Sequence, residues 1–133
     1  MKIIIDTSIL IDFSRRTKKK DEKTLWSQLL FKAKKEGHQL IIPSVCLFEF
    51  LCGQEMNSQE NREKADNLLS DVIVLDINEE ISRKAGELFR KYGFEIGVVD
   101  YLLAATALVL DGSLVTLNKK HFRNIKGLKF LEL

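Results

Sequence analysis

The sequence of 133 residues is long enough for one domain with a substantial core, and its 45% hydrophobic and 30% charged residues are typical of a globular protein. Its longest uncharged apolar run, residues 101–110, is about half as long as a membrane span, so we expect no membrane association. The N-terminus acquires charge too early for a signal peptide, and the two cysteines have no metal-binding spacing, which together favour a cytoplasmic protein.

Predicted strands and helices alternate along the chain. Short apolar runs indicate buried strands, and polar caps or glycines mark the ends of the helices. In chain order we predict the strand KIIID, a helix from about Ser8, a helix over 22–36 between Asp21 and Gly37, the strand QLII, a helix from Ser44 to Gly53, and a polar helix around 58–70. The strand VIVL, a helix from Asn78 to Gly93, a helix over 97–110, the strand SLVTL and a candidate last strand, KFLEL, complete the series.

This alternation predicts an α/β fold with a parallel sheet covered by helices on both faces. No repeat, low-complexity tract or linker divides the chain, so we expect a single domain over residues 1–133.

Three acidic residues lie where a carboxylate is unusual. Asp6 ends the first strand, Glu49 is the only charged residue of an apolar helix, and Asp100 lies in the first turn of another apolar helix. Each position has a structural explanation: Asp6 could cap a helix, Glu49 could mark a narrow solvent stripe, and the helix dipole favours an acid where Asp100 lies. A helix that is apolar all round is buried, however, and its acid is then shielded from bulk water.

Polar residues also follow the strands. Ser8 comes just after the first strand, and Thr116 and Asn118 end another, although Asn118 could also be an ordinary turn residue. Ligands of open α/β sheets bind at the carboxyl ends of the strands. Carboxylates gathered there repel one another unless a cation neutralises them, and Mg²⁺ or Mn²⁺ prefers such oxygen ligands. An ion of this kind can activate water for phosphodiester hydrolysis.

The charge distribution is uneven although the net charge is only +2. Residues 1–40 carry +5 and residues 112–133 carry +4, whereas residues 41–111 carry −7. The basic run RRTKKK is either a solvated loop or a contact for a phosphate backbone. The candidate RNA-binding residues are Arg15, Arg16, Lys18, Lys19, Lys20 and Lys119.

Four ordered motifs resemble the PIN-domain family, and specifically VapC-type toxin ribonucleases of toxin–antitoxin pairs. They are IIIDTSILID with Asp6 and Ser8, FEFLCG with Glu49, VVDYLLAATAL with Asp100, and LVTLNKKHFRNIKGLKFLEL with Thr116 and Asn118. Together they span essentially the whole chain.

The resemblance implies a three-layer α/β/α sandwich, cleavage of RNA with Mg²⁺ or Mn²⁺, homodimerisation and inhibition by a cognate antitoxin. By matching positions, Asp6, Glu49 and Asp100 form the acidic metal site, and Ser8, Thr116 and Asn118 support it. Many members carry a fourth acid where this chain has Asn118, which puts a mechanism with two metal ions in doubt.

Two other interpretations remain open from the sequence. A receiver-type signalling domain is also α/β, with Asp76 as its phosphoacceptor and Thr116 as its switch residue, but it leaves Glu49 and Asp100 unexplained. A degenerate PIN-like domain would bind RNA or protein without cutting it, because Asn118 replaces an acid. His121 could shuttle a proton, although a packing or surface role beside Phe122 explains it more simply.

Overall fold

A computed structural model describes residues 1–16 and 25–132, with the backbone alone for Arg15 and Arg16. Over these ranges it contains five strands and seven α-helices, and six of these helices correspond to the helices that the sequence predicts. In chain order the elements are β1 (Lys2–Ile5), α1 (Thr7–Arg16), α2 (Leu25–Glu36), β2 (Gln39–Pro43), α3 (Ser44–Leu51), α4 (Gln59–Leu69), β3 (Ile73–Leu75), α5 (Glu79–Tyr92), α6 (Val98–Val109), β4 (Ser113–Val115), α7 (Lys119–Phe122) and β5 (Lys129–Phe130).

The predicted helix ends rest on visible local interactions. Asn78 caps α5, because its Oδ1 accepts the Ile81 amide at 2.9 Å. Gly93 ends the same helix with φ of +71°, a conformation that favours glycine. The helix cap predicted at Asp21 lies outside the described residues. Helix α7 and two 3₁₀ turns, Gln54–Asn57 and Gly93–Glu95, were not predicted because such short segments carry no periodic pattern.

The strands form one parallel sheet in the order β3-β2-β1-β4-β5. Strand β1 is central and its three isoleucines are fully buried, as expected of a strand covered on both faces. The helices complete the predicted α/β/α sandwich. This strand order differs from the 2-1-3-4-5 order of receiver-type domains, so the receiver interpretation is wrong.

The sheet brings polar residues together at the carboxyl ends of its central strands. Ile5 of β1 is in register with Val115 of β4, and the Asp6 amide donates to the Val115 carbonyl at 3.1 Å. The residues that follow these two strands, Asp6 and Thr116, are therefore neighbours although 110 positions separate them. The carboxyl ends of the central strands thus form the predicted cluster of polar side chains.

Helix α6 lies against this edge and contacts α3, α5, β1 and β4. Its small residues Ala104, Ala105 and Ala107 are buried. No helix in the described ranges is long and apolar enough to cross a membrane.

We expect Gly112→Ala to destabilise the fold by about 1–3 kcal/mol, the usual cost of overpacking. A Cβ atom at Gly112 would lie 2.9 Å from the backbone oxygen of Lys2 and would push β4 away from β1. Urea unfolding measures the effect. Gly86→Ala in α5 is the matched control, since nothing lies within 4 Å of its added methyl group and alanine favours a helix. Equal stability of both variants would contradict the close β1–β4 approach.

Candidate active site

Four elements contribute polar side chains to the site. Asp6 follows β1, Thr116 follows β4, Glu49 lies in α3, and Asp100 lies in the first turn of α6. The structure therefore brings the three acids from distant parts of the sequence to the carboxyl ends of the strands. There the charges of Asp6 and Glu49 contribute to raising the pKa of Asp100, after burial as the main cause.

Asp6 is the most buried of the three acids, with 5% of its surface exposed. Its Oδ2 accepts two hydrogen bonds, from the Thr116 hydroxyl at 2.6 Å and from the Ser8 hydroxyl at 3.0 Å. In the described part of the chain no hydrogen bond reaches Oδ1, which leaves that oxygen available to a ligand. The two hydrogen bonds fix the orientation of the carboxylate.

The two hydroxyls are themselves held by the turn after β4. Ser8 Oγ accepts the Leu117 amide at 3.1 Å, and Thr116 Oγ1 accepts the Asn118 amide at 3.0 Å. Each hydroxyl thus accepts a hydrogen bond from a backbone amide and donates one to Asp6. Negative charge on Asp6 is stabilised by this chain of donors, because hydrogen bonds to an ionised group are stronger than neutral ones.

Glu49 is half-buried and is held by Thr7. The Thr7 hydroxyl donates to Glu49 Oε1 at 2.8 Å and lies 3.4 Å from the carbonyl oxygen of Cys46. Burial, with the negative charges of Asp6 and Glu49, raises the pKa of Cys46 to about 12, so this thiol stays protonated. Nothing in the sequence identifies Thr7 and Glu49 as partners, because 42 positions separate them.

Asp100 is partly buried, and His121 lies beside it. Burial and the charges of Asp6 and Glu49 raise the pKa of Asp100, whereas His121 lowers it. The His121 Nδ1 atom is 3.5 Å from Asp100 Oδ2. The sequence favoured a packing or surface role for His121, and its contact with Asp100 was missed because α7 was not predicted.

The three acids provide carboxylate oxygens, which divalent cations bind, but these oxygens do not converge on one point in the structure. Among residues 1–16 and 25–132, no three His, Cys, Asp or Glu side chains lie close enough together to hold one ion. The hydrogen bonds of Asp6 and Glu49 hold each carboxylate in its own place. Burial and the charges of Asp6 and Glu49 raise the pKa of Asp100. The three carboxylates supply the oxygen donors that a hard divalent cation prefers.

Comparison with known proteins identifies the family. The family model described as "PIN domain" matches residues 3–128. This chain belongs to the PIN-domain family. The ribonuclease VapC10 of Mycobacterium tuberculosis is 37% identical over 130 residues, which cover 96% of this chain and 90% of that protein. VapC19 of the same species is 31% identical over 122 residues, covering 90% of each protein.

Solved structures share the PIN-domain fold. The VapBC2 complex of Rickettsia felis bound to a promoter DNA fragment contains a chain that superposes with a TM-score of 0.79 at 24% identity, covering 100% of this chain and 99% of the other. VapBC-1 from nontypeable Haemophilus influenzae gives a TM-score of 0.76 at 24% identity, with 99% and 98% coverage.

Of the remaining predicted site residues of this PIN domain, the structure describes Asn118 and Lys119 with their side chains. Asn118 is exposed and forms the cap position of α7, where its side chain makes no capping bond. Lys119 forms an ion pair with Glu132, which partly neutralises it. The Arg15 and Arg16 side chains and Lys18, Lys19 and Lys20 lie outside the described residues.

We expect Thr116→Val to destabilise the PIN domain by about 1–3 kcal/mol, because buried Asp6 loses a hydrogen-bond donor. Thr116→Ser keeps the hydroxyl and should retain most of the stability. Thermal unfolding of the three proteins compares them. If valine is tolerated as well as serine, the hydroxyl does not hold Asp6.

Proposed function

We propose that this protein is an endoribonuclease that hydrolyses RNA phosphodiester bonds with Mg²⁺ or Mn²⁺ and acts as the toxin of a toxin–antitoxin pair. The observation that carries the proposal is the gathering of Asp6, Glu49 and Asp100 at the carboxyl edge of the sheet. The relatives in the same family are named ribonucleases, which supports the reaction class.

The three acids are the residues that would hold the cation. When bound, such an ion supplies an activated water and stabilises negative charge on phosphate. The chain itself orients the Asp6 carboxylate through Ser8 and Thr116, and it holds Glu49 through Thr7. His121, beside Asp100, can donate a hydrogen bond to that carboxylate and so orient it.

An acidic site repels RNA, so cationic surface must offset it. Lys120 and Arg123 are exposed on and just after α7, the helix that carries His121. We infer that these residues, Lys119 and the Arg15–Lys20 run contact phosphates of the RNA. Binding through such contacts weakens as salt increases, because counterions are released from the RNA.

We further propose a cytoplasmic protein whose residues 1–133 form a single domain, which dimerises and is inhibited by a cognate antitoxin. The solved relatives are VapBC complexes, and the complex from Klebsiella pneumoniae is described as toxin–antitoxin. An apolar groove of about 290 Å³ between α5 and α6 supports a dimer contact, since it is lined by Ala85, Gly86, Phe89, Val98, Tyr101 and Leu102.

If the three carboxylates share a cation, Mn²⁺ or Mg²⁺ should raise the melting temperature of the protein. Saturation to 100 times Kd adds about 2.7 kcal/mol to the free energy of unfolding. Asp100→Asn should stabilise the metal-free protein, because it removes a carboxylate whose charge is disfavoured by burial and by Asp6, and it should reduce the response to metal. An unchanged metal response in Asp6→Asn, Glu49→Gln and Asp100→Asn would contradict the shared site.

Expression without an antitoxin should arrest bacterial growth, and the purified protein should cleave single-stranded RNA with Mn²⁺. Asp6→Ala or Asp100→Ala should relieve the arrest and reduce cleavage at least 100-fold. Asn118→Asp should raise cleavage at low Mn²⁺ if a second ion limits the rate. If the wild type and Asn118→Asp both bind RNA but never cut it, the protein is instead a binding module without nuclease activity.

A dimer should have twice the 15.3 kDa mass of one chain in light scattering. Gly86→Lys should shift the mass to that of a monomer, because Gly86 lines the α5–α6 groove and nothing lies within 4 Å of a Cβ atom added there. The control is Glu87→Lys, which adds a lysine one position along α5 but outside that groove. A dimer that persists in Gly86→Lys would show that the chains meet elsewhere.

A further inference from the structure

A second cleft opens directly beside Asp100. Its volume is about 410 Å³, and its lining includes Phe94, Glu95, Ile96, Val98, Asp100 and His121. Asp100 and His121 therefore face both the cleft and the acidic site. Whatever occupies this cleft lies next to the atoms proposed to react.

Phe94 is the most exposed large apolar side chain in the described ranges, with 91% of its surface in contact with solvent. Its ring nonetheless has a fixed support, because it meets Phe89 edge to face with ring centres 5.0 Å apart and planes at 90°. An aromatic ring that is held in place while its surface stays open is suited to stacking against a flat ligand.

The backbone that carries Phe94 is also anchored. Gly93 adopts φ of +71°, which turns the chain out of α5, and the Tyr101 hydroxyl donates to the Gly93 carbonyl at 2.6 Å. Tyr101 lies one residue after Asp100 in α6. The first turn of α6 thus contains Asp100 and also anchors the backbone next to Phe94.

The lining of the cleft excludes a phosphate as its occupant. The residues around it, all within the described ranges, include no Lys or Arg, while Glu95 and Asp100 supply negative charge. A purely apolar partner surface would leave these carboxylates without hydrogen-bond donors at the contact. A flat, uncharged ligand with N–H groups at its edge satisfies both the aromatic and the acidic part of the lining.

We propose that this cleft binds one nucleobase of the RNA substrate, which stacks on Phe94 while its sugar-phosphate backbone lies at the acids. The assignment rests on the proposed function and names the subsite that positions the substrate. Single-stranded RNA presents unstacked bases that proteins recognise by aromatic stacking and by hydrogen bonds to the base edge.

Glu95 gives the subsite a preference among bases. Its carboxylate has two acceptor oxygens and no donor. Guanine presents two neighbouring donors, N1–H and N2–H, on its Watson–Crick edge, whereas the other bases present one donor group there. A guanine at this position is therefore the base that the cleft favours.

The first test measures binding of fluorescent single-stranded RNA with EDTA present, so that the result does not depend on cleavage. Phe94→Ala should weaken binding about 10- to 100-fold, the range that stacking of one base provides. Phe94→Tyr should bind like the wild type, because it keeps the ring. Phe31→Ala is the control, since Phe31 is also exposed, at 69%, but lies on α2.

The second test locates the base. Each RNA in a series lacks the base at one position. At a single position, the abasic RNA should bind the wild type more weakly than the intact RNA does, whereas Phe94→Ala should bind both RNAs equally. Replacing guanine at that position should weaken wild-type binding, and Glu95→Gln should reduce the preference. A preference that Glu95→Gln leaves unchanged would overturn the role of Glu95.

Other outcomes overturn the subsite as a whole. If the wild type cleaves RNA and Phe94→Ala binds and cleaves it equally well, the subsite is wrong although the nuclease function stands. If Phe94→Ala converts a dimer to a monomer with RNA binding unchanged, a second copy covers the cleft. If Phe94→Ala loses RNA binding but the wild type never cleaves RNA, the subsite stands and the nuclease function fails.

Discussion

The hydrogen bonds that the Ser8 and Thr116 hydroxyls donate to Asp6 Oδ2 are the interaction on which the site depends. The Thr116 bond joins the end of β4 to the end of β1, and both bonds provide donors to a carboxylate with only 5% of its residue surface exposed. Burying that charge without donors would cost several kcal/mol. The same bonds fix one oxygen of Asp6 and leave the other for a ligand, so stability and function share one network.

The fold was predictable because its signals are local. Runs such as KIII and QLII mark strands, Asn78 and Gly93 mark the ends of α5, and alternation of the two element types requires a parallel sheet. Short elements such as α7 carry no such signal. The position of His121 beside Asp100 could therefore not be predicted from the sequence, since it depends on how a four-residue helix packs.

The acids were predictable from their unusual surroundings, but their partners were not. A lone Glu49 in an apolar helix attracts attention, yet nothing in the sequence shows that Thr7, 42 positions away, donates to it. The exposed ring of Phe94 is likewise unremarkable in the sequence, because burial is a property of the packed chain. Phe94 becomes a candidate for ligand binding only because it lines the same cleft as Asp100.

The repulsion among the acids connects the stability of the protein with its proposed function. Burial, together with the negative charges of Asp6 and Glu49, raises the pKa of Asp100 and the pKa of Cys46. Removal of an acid should relieve this repulsion, whereas the proposed reaction requires all three acids. Sites that gather like charges for a cation are therefore strained until the cation binds.

The most direct test is a crystal structure of the protein grown with Mn²⁺, with anomalous scattering used to locate the ion. The account predicts a peak bounded by oxygens of Asp6 and Asp100, with Glu49 within reach directly or through water, at distances of roughly 2 Å to its direct ligands. A peak elsewhere, or no peak between these carboxylates at saturating Mn²⁺, would contradict it.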